Sequence, residues 1–192
     1  MFSKQVQRAS ANGHSGIVDI LLNEGLSPLV VCDEYNSLHA AVDGGWPAVI
    51  KLLIDWGVSV ECRDMNSNTP LHISVARAHG SAVKMLLDNG ADVEAQHSSG
   101  ATALHCAIIH GHSDIVEMLL KRGASTNISV HQGSSMIHSA AMLQDCRVME
   151  LLHLHGVDIE MRTADTLQTP LILVNQLQVA RVFLNRSLFS KA

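Results

Sequence analysis

Residues 69–94 read Thr-Pro-Leu-His-Ile-Ser-Val-Ala-Arg-Ala-His-Gly-Ser-Ala-Val-Lys-Met-Leu-Leu-Asp-Asn-Gly-Ala-Asp-Val-Glu, and the stretch returns almost in register thirty-three residues later. Thr102-Ala-Leu-His105 answers Thr69-Pro-Leu-His72, and Gly123-Ala124 answers Gly90-Ala91. Ser135-Met-Ile-His138 with Gly156 answers both again, and upstream Asn36-Ser-Leu-His39 with Gly57 falls on the same ruler. Histidines therefore stand at 39, 72, 105 and 138. A constant period of this size marks a stack of small supersecondary units, none able to bury its apolar side alone.

One unit can be read from its chemistry. Thr69 is an N-cap residue, and Pro70 sits at the first helical position, where its missing N–H costs nothing. A short helix is expected to about Arg77. His72, in the first turn, is placed to bond the Thr69 hydroxyl on one side and loop backbone of a neighbouring unit on the other. A second helix, about Ser81 to Asn89, carries Ala82, Val83, Met85, Leu86 and Leu87 as a broad apolar face. Gly90 ends it in the left-handed conformation, and Ala91-Asp92-Val93-Glu94 leads out through an extended turn.

With spacing, caps and apolar pattern agreeing over several copies, the chain resembles an ankyrin-repeat protein, whose signature is a 33-residue unit with T-P-L-H-x-A. Ser74 replaces the alanine of that signature in one unit, and Ala103 replaces the proline in the next. The resemblance implies an all-α fold, a solenoid of about five to six helix-turn-helix units linked by extended β-turn loops. The expected organisation is a single repeat domain over 1–192. Its units are approximately 1–30, 31–63, 64–96, 97–129, 130–162 and a degenerate 163–192.

The units differ in ways that matter. The first has Gln7 in place of the histidine, and Lys4, Gln5, Gln7 and Arg8 suit an end cap that meets water. The second places Trp46 where a histidine usually follows glycine and ends its second helix at Trp56; for either tryptophan the expected role is to cover a loop or helix end, with a binding anchor as the alternative. In the fourth, Glu117 and Lys121 form a favourable i, i+4 pair. The fifth has Gln144-Asp145 where a glycine is expected. The sixth restarts late at Thr169-Pro-Leu-Ile172, and its Val179, Val182, Phe183, Leu184, Leu188 and Phe189 look apolar on more than one side. That end is expected to meet a partner, to fold back on itself, or to belong to a longer array.

Composition narrows the functional classes. The 192 residues are 47% hydrophobic and 3% aromatic, as expected of thin helical layers, and carry 13 basic against 18 acidic side chains. No basic patch appears, which argues against a nucleic-acid partner. Cys32, Cys62, Cys106 and Cys146 form no C-x-x-C pair and are read as free thiols of a reducing compartment. With no apolar leader after Met1 and no run near ~18 apolar residues, a cytoplasmic or nuclear location without membrane insertion is expected. His110-Gly-His112 and His153-Leu-His155 lack further ligands in any zinc spacing, so no metal and no cofactor are expected. His112-Ser113-Asp114 is adjacency in sequence rather than a triad, and the chain reads as non-enzymatic, with no catalytic residues.

What remains is surface. By resemblance, the turn tips and the exposed side of each first helix line a concave face that binds a protein partner. Carried over by position, the contacts are Tyr35, Trp56, Met65, Asn66, Asn68, Arg77, Ile109, His110, Met142 and Leu143. Asp33, Asp43, Ala76, Ser98, Ser99, Ala101, His131, Gln132 and Ser134 occupy the same offsets. The residues expected to hold the repeats together are Thr69, Pro70, His39, His72, His105, His138, Gly57, Gly90, Gly123 and Gly156. Glu61, Glu94 and Glu160, with Asp92 and Asp158 two residues before the latter pair, make an acidic edge that favours Lys or Arg on the partner. Resemblance also makes Asn127 a candidate for asparaginyl hydroxylation. The expected function is a protein–protein interaction module, monomeric or associating through its apolar C-terminal end. The alternative is a structural spacer or oligomerising segment of a larger protein.

Overall fold

The computed structural model describes residues 4–29, 36–127 and 136–158. Among them are ten α-helices and no strand, so the chain is all-α and built of helical repeats. They are α1 (Gln5–Ala11), α2 (Ser15–Asn23), α3 (Ser37–Asp43), α4 (Pro47–Asp55), α5 (Pro70–Ala76), α6 (Gly80–Asp88), α7 (Ala103–Ile109), α8 (Ser113–Lys121), α9 (Met136–Met142) and α10 (Cys146–Leu154). Helices of 7 and 9 residues alternate. Both are shorter than the ~12–15 residues at which an isolated helix becomes even marginal in water, so packing and capping must supply their stability.

The chain falls into two compact units, Met1–Cys106 and Ala107–Ala192. In the first, α1, α3 and α5 pack in chain order as one layer, and α2, α4 and α6 as a second; each first helix also packs on the second helix that follows it. Leu38, Ile50, Leu53, Leu71 and Leu86 are fully buried between the layers. In the second unit α10 packs on α8 and on α9, and Leu119, Met136, Ile137, Met149 and Leu152 are buried.

Polar ties join successive repeats. Thr69 caps α5 in a reciprocal capping box: its N–H donates to His72 Nδ1 at 3.3 Å, and its hydroxyl lies 2.9 Å from the same nitrogen. The other ring nitrogen, Nε2, reaches the Ala101 carbonyl of the next turn at 3.2 Å. His39 does the same work with Asn36 Oδ1 at 3.0 Å and the Asn68 carbonyl at 3.3 Å. Thr102 and His105 repeat the cap, and His138 is buried at the corresponding place in α9. Pro70 is buried at the start of α5. Gly57, Gly90, Gly123 and Gly156 all take φ near +84° beyond a second helix. At Gly90 this lets Ala91 N–H reach back to the Leu86 carbonyl.

A second tie was not legible from the repeat pattern. The Trp46 indole N–H donates to the carbonyl of Ala11, the last residue of α1, at 2.8 Å. His79, one period later, reaches the carbonyl of Asp43, the last residue of α3, at 3.2 Å. Each ring occupies the space that a side chain would need at the inter-helix glycine of the repeat before it, Trp46 at Gly13 and His79 at Gly45. Trp46 is thus a structural substitute for the recurring histidine, as its expected covering role requires.

Two tests follow from this arrangement. Burial holds the His72 imidazole neutral, with pKa lowered from 6.5 to about 4, and the neighbouring His97 and Arg63 add to the effect. The His97 ring stands edge-on at 5.4 Å. Because the folded pKa lies below the unfolded one, the unfolded state binds the extra proton. The stabilisation is complete above pH 6.5 and is lost as pH falls through the window to about 4, by roughly 3 kcal/mol. Urea denaturation at pH 7, 5.5 and 4.5 should show the midpoint falling, and the fall should shrink in His72→Gln. Separately, a Cβ at Gly45 would sit 2.7 Å from the His79 ring, whereas Ala78 holds φ +58° at the same register. Gly45→Ala should therefore cost about 1–2 kcal/mol by displacing the ring and its hydrogen bond.

Candidate functional site

In the first unit, the candidate surface is built on the turn between α4 and α5. Asp64 is buried and organises it: Oδ1 accepts the N–H groups of Asn66 at 2.8 Å and Asn68 at 2.7 Å, and Oδ2 accepts Asn68 Nδ2 at 2.8 Å. Ser67 takes φ +61° to close the loop. Arg63 donates from Nη1 to the carbonyls of Ser67, at 2.9 Å, and Gln96, at 2.7 Å, tying this turn to the next one. Ser98 N–H donates to the Asn66 carbonyl at 3.0 Å. The turn is therefore rigid, and it holds Met65 outward with 72% of its surface in water.

The expected contacts in this unit do not stand alike. Met65 and Asn66 are exposed at the tip. Asn68 is half-buried, its amide held by Asp64 and its carbonyl by His39, so its polar groups serve the turn. Arg77 is exposed at the end of α5, with Nε 2.7 Å from Asp43 Oδ1. Trp56 caps the C-terminus of α4 and is partly exposed. Ala76, Ser98 and Ser99 face water, but Ala101 is buried, and its carbonyl receives both His97 N–H and His72 Nε2. Glu61 Oε1 accepts the Asp92 N–H and Asp92 Oδ1 accepts the Glu94 N–H, which orders three members of the acidic edge. Tyr35, Asp33, His131, Gln132, Ser134, Glu160 and the sixth repeat lie outside the described residues.

In the second unit the same register carries different chemistry. Ile109 ends α7 and Met142 ends α9, one period apart, with 54% and 71% of their surfaces exposed. His110 and Leu143 follow them, both exposed, and the His110 ring stacks on His112 with centroids 5.7 Å apart. Gln144 adopts φ +56° in place of a glycine, and Asp145 Oδ1 caps α10 through the Val148 N–H at 3.0 Å. On the second helices, Arg147 reaches Asp114 at 2.6 Å and Glu117 at 3.0 Å, and Lys121 reaches Glu117 at 2.7 Å. Hydrogen bonds from Lys121 and Arg147 hold the Glu117 carboxyl below its usual range. The sequence indicated the Glu117–Lys121 pair but not its partner on α10.

Among the described residues, no three His, Cys, Asp or Glu side chains converge where a metal ion could be held. Burial pushes the thiol of half-buried Cys62 up and that of buried Cys106 up to about 11, so neither sulfur is an activated nucleophile. His155 donates from Nδ1 to the Leu151 carbonyl of its own helix. No described helix is long and apolar enough to cross a membrane. The exposed Asn127 stands in its expected turn, its N–H 3.3 Å from Ser125 Oγ.

The family model described as ankyrin repeats (3 copies) matches residues 6–97, 56–130 and 90–163. A search of the curated proteins gave no match.

The geometry separates turn residues from surface residues in a measurable way. Asp64→Ala removes the acceptor of three N–H groups and should destabilise the chain by about 1–3 kcal/mol in urea denaturation. Arg77→Ala breaks an exposed ion pair and should cost less than about 1 kcal/mol.

Proposed function

The chain belongs to the ankyrin-repeat family, and on that premise we propose that it is a non-enzymatic module that binds a protein partner through turn tips and the C-terminal ends of its first helices. Ankyrin repeats are in general protein–protein interaction modules. The observation that carries the reading is the apolar register of the second unit, where Ile109, Met142 and Leu143 stand in water on ends of rigid helices. Full burial of such a side chain is worth about 1.5–3 kcal/mol, and large apolar anchors dominate binding once a partner excludes water from them. His110 lies between them in sequence register and supplies a polar, stacking rim.

In the first unit, Met65 and Asn66 at the turn tip, with Arg77 at the helix end, form a more polar patch beside Glu61, Asp92 and Glu94. That patch suits a partner segment with an apolar residue flanked by Lys or Arg. Its attraction weakens with salt, since the carboxylates are at the surface.

Peptides selected from a phage-displayed library on the immobilised full chain test this assignment. Ile109→Asp and Met142→Asp should each weaken the selected peptides at least about tenfold while leaving the helical circular dichroism intact. Undiminished binding of every selected peptide to both variants would remove the second-unit register from the interface.

A further inference from the structure

Of the 13 Lys and Arg side chains, Arg122 alone stands three residues before a Ser or Thr, and Lys121 precedes it, so residues 121–125 read Lys-Arg-Gly-Ala-Ser. Lys121 is the last residue of α8 and Arg122 its C-cap, both exposed, and Ser125 lies half-buried in the turn beyond. The repeat register shows what that turn can hold. Helices α2, α4, α6, α8 and α10 end at Asn23, Asp55, Asp88, Lys121 and Leu154, so Ser27, Ser59, Asp92, Ser125 and Asp158 are equivalent. In four of the five the side-chain oxygen accepts the N–H two residues on: Leu29 to Ser27 at 3.2 Å, Glu61 to Ser59 at 3.1 Å, Glu94 to Asp92 at 2.9 Å and Asn127 to Ser125 at 3.3 Å. The shortest of these bonds is the one to the carboxylate, because an anionic oxygen is the stronger acceptor. Asp158, at the fifth, is exposed. The position of Ser125 therefore admits an anion without loss of the turn.

We propose that Ser125 is a phosphorylation site for a Ser/Thr protein kinase that reads basic residues ahead of its acceptor. A carboxylate-lined substrate groove pairs in bidentate fashion with a guanidinium three residues upstream, and Lys121 adds a second positive charge. In the transfer, Ser125 Oγ bonds to the γ-phosphorus of ATP, the bond from that phosphorus to the bridging oxygen of the departing ADP breaks, and the hydroxyl proton passes to the catalytic Asp of the kinase. Presenting Arg122 and Ser125 on one extended strand opens the bonds from Gly123 N–H to the Leu120 carbonyl and from Ala124 N–H to the Leu119 carbonyl, and lifts the small Ala124 side chain from its buried place. Helix ends are where such local opening costs least. Lys121 exchanges its exposed pair with Glu117 for the carboxylates of the kinase, again at little cost. Once the turn closes, the phosphate takes the part that Asp92 plays one period earlier, carrying about two negative charges, with the Asn127 N–H as donor and Lys121 and Arg122 in the same segment. The modification changes charge and leaves the fold in place.

Incubating the full chain with magnesium, ATP and a calmodulin-dependent protein kinase that reads Arg at this spacing tests the site, with peptide mass spectrometry as the readout. One phosphate should appear on Ser125 and none on Ser27 or Ser59, which share the turn but have Glu24 and Trp56 three residues upstream. Arg122→Ala should slow incorporation at least about tenfold, and Ser125→Ala should abolish it. Circular dichroism checks that both variants keep their helices. The phosphorylated chain should retain the helical signal and the urea midpoint of the unmodified one, as should Ser125→Asp. In the phosphorylated chain the Asn127 amide proton resonance should move downfield as the phosphate loses its second proton. Absence of incorporation, equal incorporation at Ser27 and Ser59, a rate indifferent to Arg122→Ala, or loss of helix on phosphorylation would each overturn the proposal. None of these outcomes depends on the peptide-binding surface of Ile109 and Met142.

Discussion

Helices of 7 and 9 residues cannot hold themselves, so the molecule depends on what crosses from one repeat to the next. Apolar layers supply most of that, but a layer of leucines alone sets no register. The imidazole at the third position of the first helix does. In His72 one nitrogen accepts from the helix's own cap while the other donates to the carbonyl of the following turn. Both bonds require the neutral ring with its proton on Nε2, and burial favours that same form. Thr69, His72 and Ala101 thus fasten a helix start and a distant turn with one side chain that leaves neither of its nitrogens unsatisfied.

Position-specific chemistry explains what could be read before the structure. A cap, a proline at the first helical position and a glycine beyond the end each act within one turn of chain, so Thr69, Pro70 and Gly90 announce their roles locally. The histidine ladder was legible because it recurs with the period. Contacts between repeats carried by unlike residues were not. Trp46 and His79 share a position of the repeat, but the bond each ring makes, to the last carbonyl of the preceding first helix, is seen only in the structure. Asp64 likewise looks like any turn aspartate until its three N–H partners are seen, and those partners take Asn68 out of the exposed set. Ala101 was placed at the surface by its offset, but its carbonyl serves His72 and its side chain is covered. Exposure of Ile17 and Ile20 is harder still, since the corresponding positions of α4, α6 and α10 are buried or half-buried.

The two described units put contrasting chemistry on one register. Asp43 ends α3, where Ile109 and Met142 end their helices, and Arg77 follows α5, where His110 and Leu143 follow theirs. In the first unit the pair Asp43–Arg77 closes on itself at 2.7 Å. An exposed ion pair contributes at most about 1 kcal/mol, and a partner that recruits Arg77 must first compensate for the loss of Asp43. Ile109, Met142 and Leu143 have no such competing bond to break. Covering them displaces no ion pair, whereas engaging Arg77 breaks one.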